Sequence, residues 1–161
     1  MKKILFLIHT LGVGGAEKVL VNLANTLVEK SYEVTVMTII DTGFFKKDLS
    51  PNVIYKSMFS LPFLNSDKDS SGSLQGNFSK GKSLLKRLYQ FFWRHVNCKK
   101  LYRKYIKDNY DFEISFLEGI TAKVLAASTN KLSKKFTWMH VDIINENKSD
   151  AVFNNIEEQR K

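Results

Sequence analysis

The fold is decided by the stretch KKILFLIHTLGVGGAEKVLVNLANTLVEKSYEVTVMTII, which occupies residues 2–40. It begins with an apolar run of strand length, Lys2 to His9, and breaks at the turn Gly12-Val13-Gly14-Gly15. Apolar residues then recur at helical spacing from Ala16 to Lys30. A second apolar, β-branched run follows from Tyr32 to Ile40. The order strand, helix, strand predicts a crossover that joins two parallel strands.

The rest of the chain continues this alternation. Further strands are predicted over Asn52 to Met58, Phe112 to Leu117 and Phe136 to Val141, the last of them short and buried, and helices over Leu84 to Asp108 and Ile120 to Ser128. Such a succession predicts an α/β domain with a Rossmann-like, open, mostly parallel sheet and helices on both faces. Sheets of this kind bind ligands at the carboxyl ends of their strands, which selects the residues to consider.

Length and composition predict one compact domain over residues 1–161, because 161 residues with 43% apolar content can bury a sizeable core. The segment Asn65 to Ser83 is rich in Ser, Gly, Asn, Asp and Lys, which predicts a mobile loop. The start of the chain imitates a signal peptide, but its apolar run is too short, and a buried strand is favoured. A single cysteine, Cys98, excludes an internal disulfide and makes the cytoplasm the default location.

Positive charge is concentrated in one segment. The chain carries 25 Lys and Arg against 16 Asp and Glu, a formal net charge of +9. Ten of these cations lie between Lys80 and Lys107, a segment that contains no Asp or Glu. The rest of the chain contains the other 15 cations and all 16 anions. The same segment contains the bulky stretch Leu88 to Trp93 and several tyrosines, which predicts a basic, aromatic helix.

The glycine turn after the first strand is the first candidate site. Its glycines allow a tight turn that brings backbone N–H groups and a helix N-terminus to one point, where a phosphate or a sugar hydroxyl can bind. A dinucleotide site is the alternative. The dinucleotide fingerprint beginning at Gly12 would require glycine where Glu17 stands, and that carboxylate would repel a pyrophosphate. Asp41 keeps the alternative open, since an acid at the end of the second strand can hold a ribose.

The turn Gly14-Gly15-Ala16-Glu17, placed between the first strand and the helix that leads to Tyr32 to Val36, resembles the N-terminal domain of family 4 glycosyltransferases of the GT-B type. The resemblance covers residues 1–41 closely and returns loosely from Asp111 to Asp142. It implies a retaining transfer of a sugar from a nucleotide-sugar donor to a glycan or lipid-linked acceptor, in cell-surface polysaccharide synthesis, with no cofactor. Ser31 departs from the glycine that usually follows the first helix.

The resemblance also implies the site residues. Gly14 and Gly15 match the glycine loop that faces the donor diphosphate and the acceptor, and His140 matches a histidine close to the sugar. Glu118, which follows a predicted strand, meets either the acceptor hydroxyls or the positive end of its own helix. The family binds the donor mainly through a C-terminal domain with an E-x7-E signature. No glutamate of this chain has another eight residues later, so that domain is expected to be absent and the chain alone inactive.

The basic segment has two interpretations on its residues alone. Either its apolar side packs on the sheet and its cations are solvated, or it lies on an anionic membrane, as basic aromatic helices do. The resemblance favours the membrane, at the inner face of the cell membrane, through Lys86, Arg87, Trp93, Arg94, Lys99 and Lys100. Nucleic acid is not expected as a partner, because no RNA-binding module is recognisable. No carboxylate spacing indicates a metal site. A NAD(P)-binding domain and a non-catalytic membrane-binding subunit remain the alternatives.

Overall fold

A computed structural model describes residues 1–60, 87–88 and 91–140 of the chain. The strands are β1 (Lys3–Ile8), β2 (Glu33–Ile40), β3 (Ile54–Phe59), β4 (Phe112–Ser115) and β5 (Lys134–Thr137). The helices are α1 (Gly15–Glu29), α2 (Cys98–Tyr105) and α3 (Ile120–Ala126), with a 3-10 helix at Phe44–Asp48. Residues 87–88 and 91–95 are also helical. The predicted loop at 65–83 lies outside the described residues.

The five strands form one parallel sheet in the order β3-β2-β1-β4-β5. Strand β1 lies at the centre, where Ile4 pairs with Val34 of β2 on one side and with Phe112 of β4 on the other. This is the predicted α/β, Rossmann-like open sheet, and among the described strands every pairing is parallel.

Helices cover both faces of the sheet, as the sequence predicts. On one face Ile4, Phe6 and Ile8 of β1 pack in a core with the buried residues of α1, Leu20, Val21 and Ala24. On the other face Leu5 and Leu7 pack in a second core whose helical members include Trp93, Leu101, Tyr102 and Val124. Because a central parallel strand is buried on both faces, its residues are apolar without alternation, which explains the continuous run that opens the sequence.

The predicted helix from Leu84 to Asp108 is interrupted within its described part. Residues 91–95 are helical, Val96 and Asn97 are not, and α2 starts at Cys98. Asn97 caps the new helix, because its side chain accepts a hydrogen bond from the backbone N–H of Lys100 at 3.0 Å. The expectation of one continuous helix is therefore wrong, since the apolar spacing continues across the break and does not report it.

The last strand also differs from its prediction. The prediction was a buried strand over Phe136 to Val141, whereas the structure has β5 at Lys134–Thr137, with all four residues exposed. Val141 itself lies outside the described residues. Strand β5 pairs only with β4 among the described strands and lies at the edge of the sheet. Apolar residues such as Phe136 suggested burial, but the edge position leaves them in contact with water.

Candidate functional site

The loops after β1 and β4 leave the sheet side by side and then diverge. The two strands are neighbours, but α1 packs on one face of the sheet and α3 on the other. Open α/β sheets bind ligands in a crevice at such a reversal of adjacent parallel strands, which makes this edge of the sheet the candidate site. The glycine turn borders it from β1 and Glu118 borders it from β4, so the topology brings two of the predicted site regions to one edge.

The glycine turn presents one crowded and one open position. Gly14 precedes α1 in an extended conformation, and a Cβ added there would lie 2.2 Å from Oε2 of Glu17. A Cβ at Gly15 would meet nothing within 4 Å. The Glu17 carboxylate thus lies against Gly14, at the positive end of α1. A ligand hydroxyl approaching Gly14 meets a hydrogen-bond acceptor, whereas a phosphate meets a negative charge.

A second loop holds the glycine turn in place. The backbone N–H of Leu11 donates to the carbonyl of Thr42 at 3.0 Å, and the N–H of Phe45 donates to the carbonyl of Leu11 at 3.0 Å. Between them Gly43 has φ of 147°, and a Cβ there would lie 2.2 Å from the carbonyl carbon of Leu11. Sequence reasoning missed Gly43, whose only signal was a glycine shortly after the predicted end of the second strand.

Asp41 is tied into a hydrogen-bonded group at the end of β2. Its Oδ1 accepts a hydrogen bond from the Tyr55 hydroxyl and another from Lys46 Nζ, both at 2.8 Å. The Lys46 bond lowers the pKa of Asp41, the Tyr55 bond acts in the same direction, and partial burial opposes both. The dinucleotide alternative needs this carboxylate for a ribose, and here two protein donors already occupy one of its oxygens.

Two hydroxyls fix the turn that carries Glu118. Ser115 Oγ and Thr121 Oγ1 lie 2.8 Å apart, and both are within hydrogen-bond distance of the Leu117 carbonyl. Gly119 follows with φ of 79°, a conformation that glycine adopts most readily. The turn is therefore held from both β4 and α3, which sets the position of Glu118.

The structure brings Glu118 and His140 together. The backbone N–H of His140 donates to Oε2 of Glu118 at 3.2 Å, although 22 residues separate them. The imidazole is exposed and lies against the ring of Phe116, with centroids 5.4 Å apart. Both predicted residues thus stand beyond the ends of the neighbouring strands β4 and β5, and this pairing was not visible in the sequence.

The residues predicted to bind a membrane separate into one buried ring and several exposed cations. Trp93 is only 1% exposed and packs edge-to-face on Phe59, with centroids 6.5 Å apart. Its predicted insertion among lipid headgroups is therefore corrected, because it belongs to the core. The exposed cations are Arg87, Arg94, Lys99 and Lys100. Lys86 lies outside the described residues.

Apolar side chains also stand out from this segment. Leu88, Phe91 and Phe92 are all exposed, Phe91 the most at 63%. Because Trp93 faces inward, its neighbours in the sequence face outward beside Arg94. The helical pattern of the sequence does not distinguish the inward ring of Trp93 from the outward rings of Phe91 and Phe92.

A buried carboxylate lies beneath α2. Glu113 of β4 is completely buried, and its Oε1 accepts a hydrogen bond from the Tyr102 hydroxyl at 2.8 Å. Among the described residues its Oε2 has no hydrogen-bond partner. Burial, more than this contact, raises the pKa of Tyr102. The bond fixes Tyr102, and with it the side of α2 that faces the sheet.

Within the described part of the chain, no three His, Cys, Asp or Glu side chains gather where they could hold a metal ion. The same residues contain no helix of the length and apolarity needed to cross a membrane. Comparison with protein-family models, with curated proteins and with solved structures finds no match. The fold, the geometry of the site and the sequence motif are therefore the grounds for inferring a function.

Proposed function

We propose that this chain forms the N-terminal, acceptor-side domain of a retaining glycosyltransferase of the GT-B type, family 4. The intact enzyme transfers a sugar from a nucleotide-sugar donor to a glycan or lipid-linked acceptor, in cell-surface polysaccharide synthesis. One observation carries the proposal: Glu118 and His140 are joined by a hydrogen bond at the carboxyl edge of a parallel sheet whose neighbouring strand leads into Gly14-Gly15.

These groups suit sugar hydroxyls. A carboxylate offers about four lone-pair sites, and the bond from His140 uses one of those of Glu118. A neutral imidazole accepts a hydroxyl proton or orients a hydroxyl, and the exposed ring of His140 can do either. The Glu17 carboxylate adds an acceptor beside Gly14. The nucleotide of the donor is left mainly to a C-terminal domain, as the resemblance implies.

Gly15→Val in the full-length enzyme tests the glycine turn. The space at Gly15 is open, so the added side chain leaves the fold intact but occupies the crevice where the ligand binds. We expect transfer from the nucleotide sugar to be abolished while circular dichroism stays unchanged. Val19→Thr, at an exposed position of α1, is the matched control and retains activity. Near-normal turnover of the Gly15 variant contradicts the proposal.

His140→Ala in the same enzyme separates two roles. If the imidazole acts on sugar hydroxyls, turnover falls much more than the affinity for the donor, because the donor is held chiefly elsewhere. Steady-state kinetics with the donor varied measure both quantities. An unchanged turnover number assigns His140 a packing role only, on the ring of Phe116.

Calorimetry with NAD and NADP distinguishes the transferase from the dinucleotide-binding alternative. The Glu17 carboxylate at the turn and the engaged Asp41 both oppose a dinucleotide, so we expect no tight binding to this chain. Micromolar binding would favour the alternative instead.

We further propose that the domain is cytoplasmic and docks on the inner face of the cell membrane through residues 87–107. Exposed Leu88, Phe91 and Phe92 stand beside exposed cations, the combination that binds anionic interfaces. Each cation near such a surface adds about 1 kcal/mol of binding free energy. The apolar side chains add a part that salt does not screen.

Sedimentation with phosphatidylserine-containing vesicles tests the docking. The domain should bind these vesicles at low salt, and binding should be much weaker at about 1 M salt, where the screening length is about 3 Å. The binding that remains at high salt should depend on Phe91 and Phe92. Replacing Arg87, Arg94, Lys99 and Lys100 by Gln should weaken binding without unfolding the domain. Lys18 of α1 and Lys30, the residue that follows α1, are exposed and provide the control substitutions. If the wild-type domain does not bind these vesicles at low salt, the docking proposal is contradicted. If the full-length protein binds the vesicles but does not transfer sugar, the alternative of a non-catalytic membrane-binding subunit is supported.

A further inference from the structure

Three rings gather beyond the ends of β4 and β5. Phe116 is fully buried against Phe6, with centroids 5.9 Å apart, and it lies 5.0 Å from Trp138 and 5.4 Å from His140. The rings of Trp138 and His140 are nearly parallel, at 11°, with centroids 6.2 Å apart. A buried ring thus supports two others that share one orientation.

The backbone holds this cluster at the edge of the sheet. The N–H of Trp138 donates to the carbonyl of Ser115 at 2.8 Å, which extends the ladder between β5 and β4. The N–H of His140 donates to Glu118. Both rings are therefore placed by hydrogen bonds to the segment that forms the β4 side of the crevice.

Trp138 nevertheless leaves 47% of its surface exposed, and a partly exposed carboxylate, that of Glu118, lies next to the cluster. A pyranose ring has matching chemistry, because its ring C–H groups pack on an aromatic plane while its hydroxyls donate to carboxylates. We infer that Trp138 is a stacking platform for a pyranose ring of the acceptor, with Glu118 accepting hydrogen bonds from its hydroxyls. This inference rests on the proposed function and adds a binding residue to it.

A nucleobase is the competing occupant, since it also stacks on indole rings. It would bring the phosphates of its nucleotide toward Glu118, where the like charges repel. A neutral glycoside meets the same carboxylate as a hydrogen-bond acceptor. The residues beside Trp138 therefore favour the sugar.

Saturation-transfer NMR on residues 1–161 tests the platform directly, with methyl β-D-glucopyranoside as the probe and uridine monophosphate as the rival. We expect saturation to reach the ring C–H protons of the glycoside. Trp138→Ala should weaken binding between about twofold and tenfold, the range of one aromatic contact, and Trp138→Phe should restore part of it. Glu118→Gln should weaken binding of the glycoside. Binding of uridine monophosphate to this variant should remain weaker than binding of the glycoside.

A fluorescence measurement keeps the test independent of how well the Trp138 variants fold. The chain contains two tryptophans, so Trp93→Phe leaves Trp138 as the reporter. Trp93 is buried in the opposite core, and this substitution should leave glycoside binding unchanged. Addition of the glycoside should then shift the emission of Trp138 and protect it from iodide quenching.

Absence of saturation transfer to the glycoside, or transfer that Trp138→Ala leaves unaltered in a folded chain, overturns the inference. Preferential saturation of uridine monophosphate through Trp138 overturns it as well. Neither measurement needs a donor or a transfer step. If the full-length enzyme transfers sugar but the chain does not bind the glycoside, only the inference about Trp138 is overturned. If the chain binds the glycoside but the full-length protein does not transfer sugar, the inference about Trp138 is supported and the proposed enzymatic function is contradicted.

Discussion

Ser31 follows Lys30, the C-cap of α1, and adopts a left-handed backbone conformation with φ of 64°. Its N–H donates to the carbonyl of Val28 at 2.9 Å, and the N–H of Tyr32 donates to that of Leu27 at 3.1 Å. These two bonds form a Schellman motif, which satisfies the last carbonyls of the helix. Glycine favours this conformation and serine does not, so the position that departs from the resemblance is also a strained one.

Ser31→Gly should therefore stabilise the domain. Relief of the left-handed strain is worth about 1–2 kcal/mol, and the greater freedom of glycine in the unfolded chain removes about half of it. We expect the free energy of unfolding to rise by about 0.5–1 kcal/mol in urea titrations. Lys30→Gly is the control, because Lys30 has φ of −86° and gains no relief, so its stability should fall. A less stable Ser31 variant would contradict this account.

Asp41 should contribute stability that depends on pH. Its pKa is lower in the folded state than in the unfolded state, because Lys46 and Tyr55 favour the charged carboxylate. The contribution is complete above the unfolded pKa of about 4 and is lost as the pH falls through the lower folded value. Asp41→Asn should cost less than about 1 kcal/mol at neutral pH, since the Lys46 side chain of the ion pair is 46% exposed and water screens the pair.

Thermal unfolding of the Asp41→Asn and wild-type chains, followed from neutral pH to below about pH 4, measures this contribution. The two stabilities should converge in acid. Lys46→Gln removes the main partner and should flatten the same pH dependence. If the difference in stability between the wild-type and Asp41→Asn chains stays constant in acid, the charge of Asp41 is not the cause of that difference.

At the scale of elements, the loop after β2 and the glycine turn after β1 act as one unit. They exchange backbone hydrogen bonds through Leu11, and Gly43 approaches Leu11 too closely for any side chain. The conformation of the glycine turn therefore depends on a glycine that lies outside it. In the same way Tyr102 and Glu113 tie α2 to β4, so that the cations of α2 face outward.

Gly43→Ala should destabilise the domain and displace the glycine turn. The added Cβ meets backbone atoms, which move less readily than a side chain, and φ of 147° is unfavourable for alanine. We expect a loss of more than about 2 kcal/mol in urea unfolding. Gly15→Ala is the matched control, because its Cβ enters open space at the start of α1 and should cost nothing. Equal stabilities of the two variants would contradict the close packing on Leu11.

At the scale of the whole molecule, the strand order determines which parts of the sheet are protected. Strand β1 has strands on both sides and a core on both faces. Strand β5 has four exposed residues and lies at an edge. An all-parallel sheet is usually buried throughout, so β5 and the exposed residues Phe136 and Trp138 distinguish this end of the molecule.

Hydrogen exchange should follow this gradient. Amides of β1 should exchange only by global unfolding, and those of β5 by local opening at a much lower free energy. Mass spectrometry of peptides covering residues 3–8 and 134–137 measures both rates. Similar protection of the two strands would show that β5 is covered in solution, as the sequence had predicted.

Much of the fold followed from the sequence. The β-α-β opening, the parallel sheet and the two helical layers were predicted, because apolar periodicity reports how each element is buried and a crossover of that length requires parallel strands. For the site, Gly14, Gly15 and Glu118 were chosen because each follows a predicted strand, whereas His140 was chosen because of the resemblance. Their chemical roles stay predictions.

Only the tertiary structure decided which residues meet. In the structure Trp93 is buried, whereas Phe91 and Phe92 are exposed. The Glu118 carboxylate accepts a hydrogen bond from the backbone N–H of His140, and Gly43 packs against the backbone of Leu11. The tertiary structure also made β5 an exposed edge. The physical reason is that local pattern is a property of one segment, whereas strand order, the break at Asn97 and contacts between loops depend on how separate segments pack together.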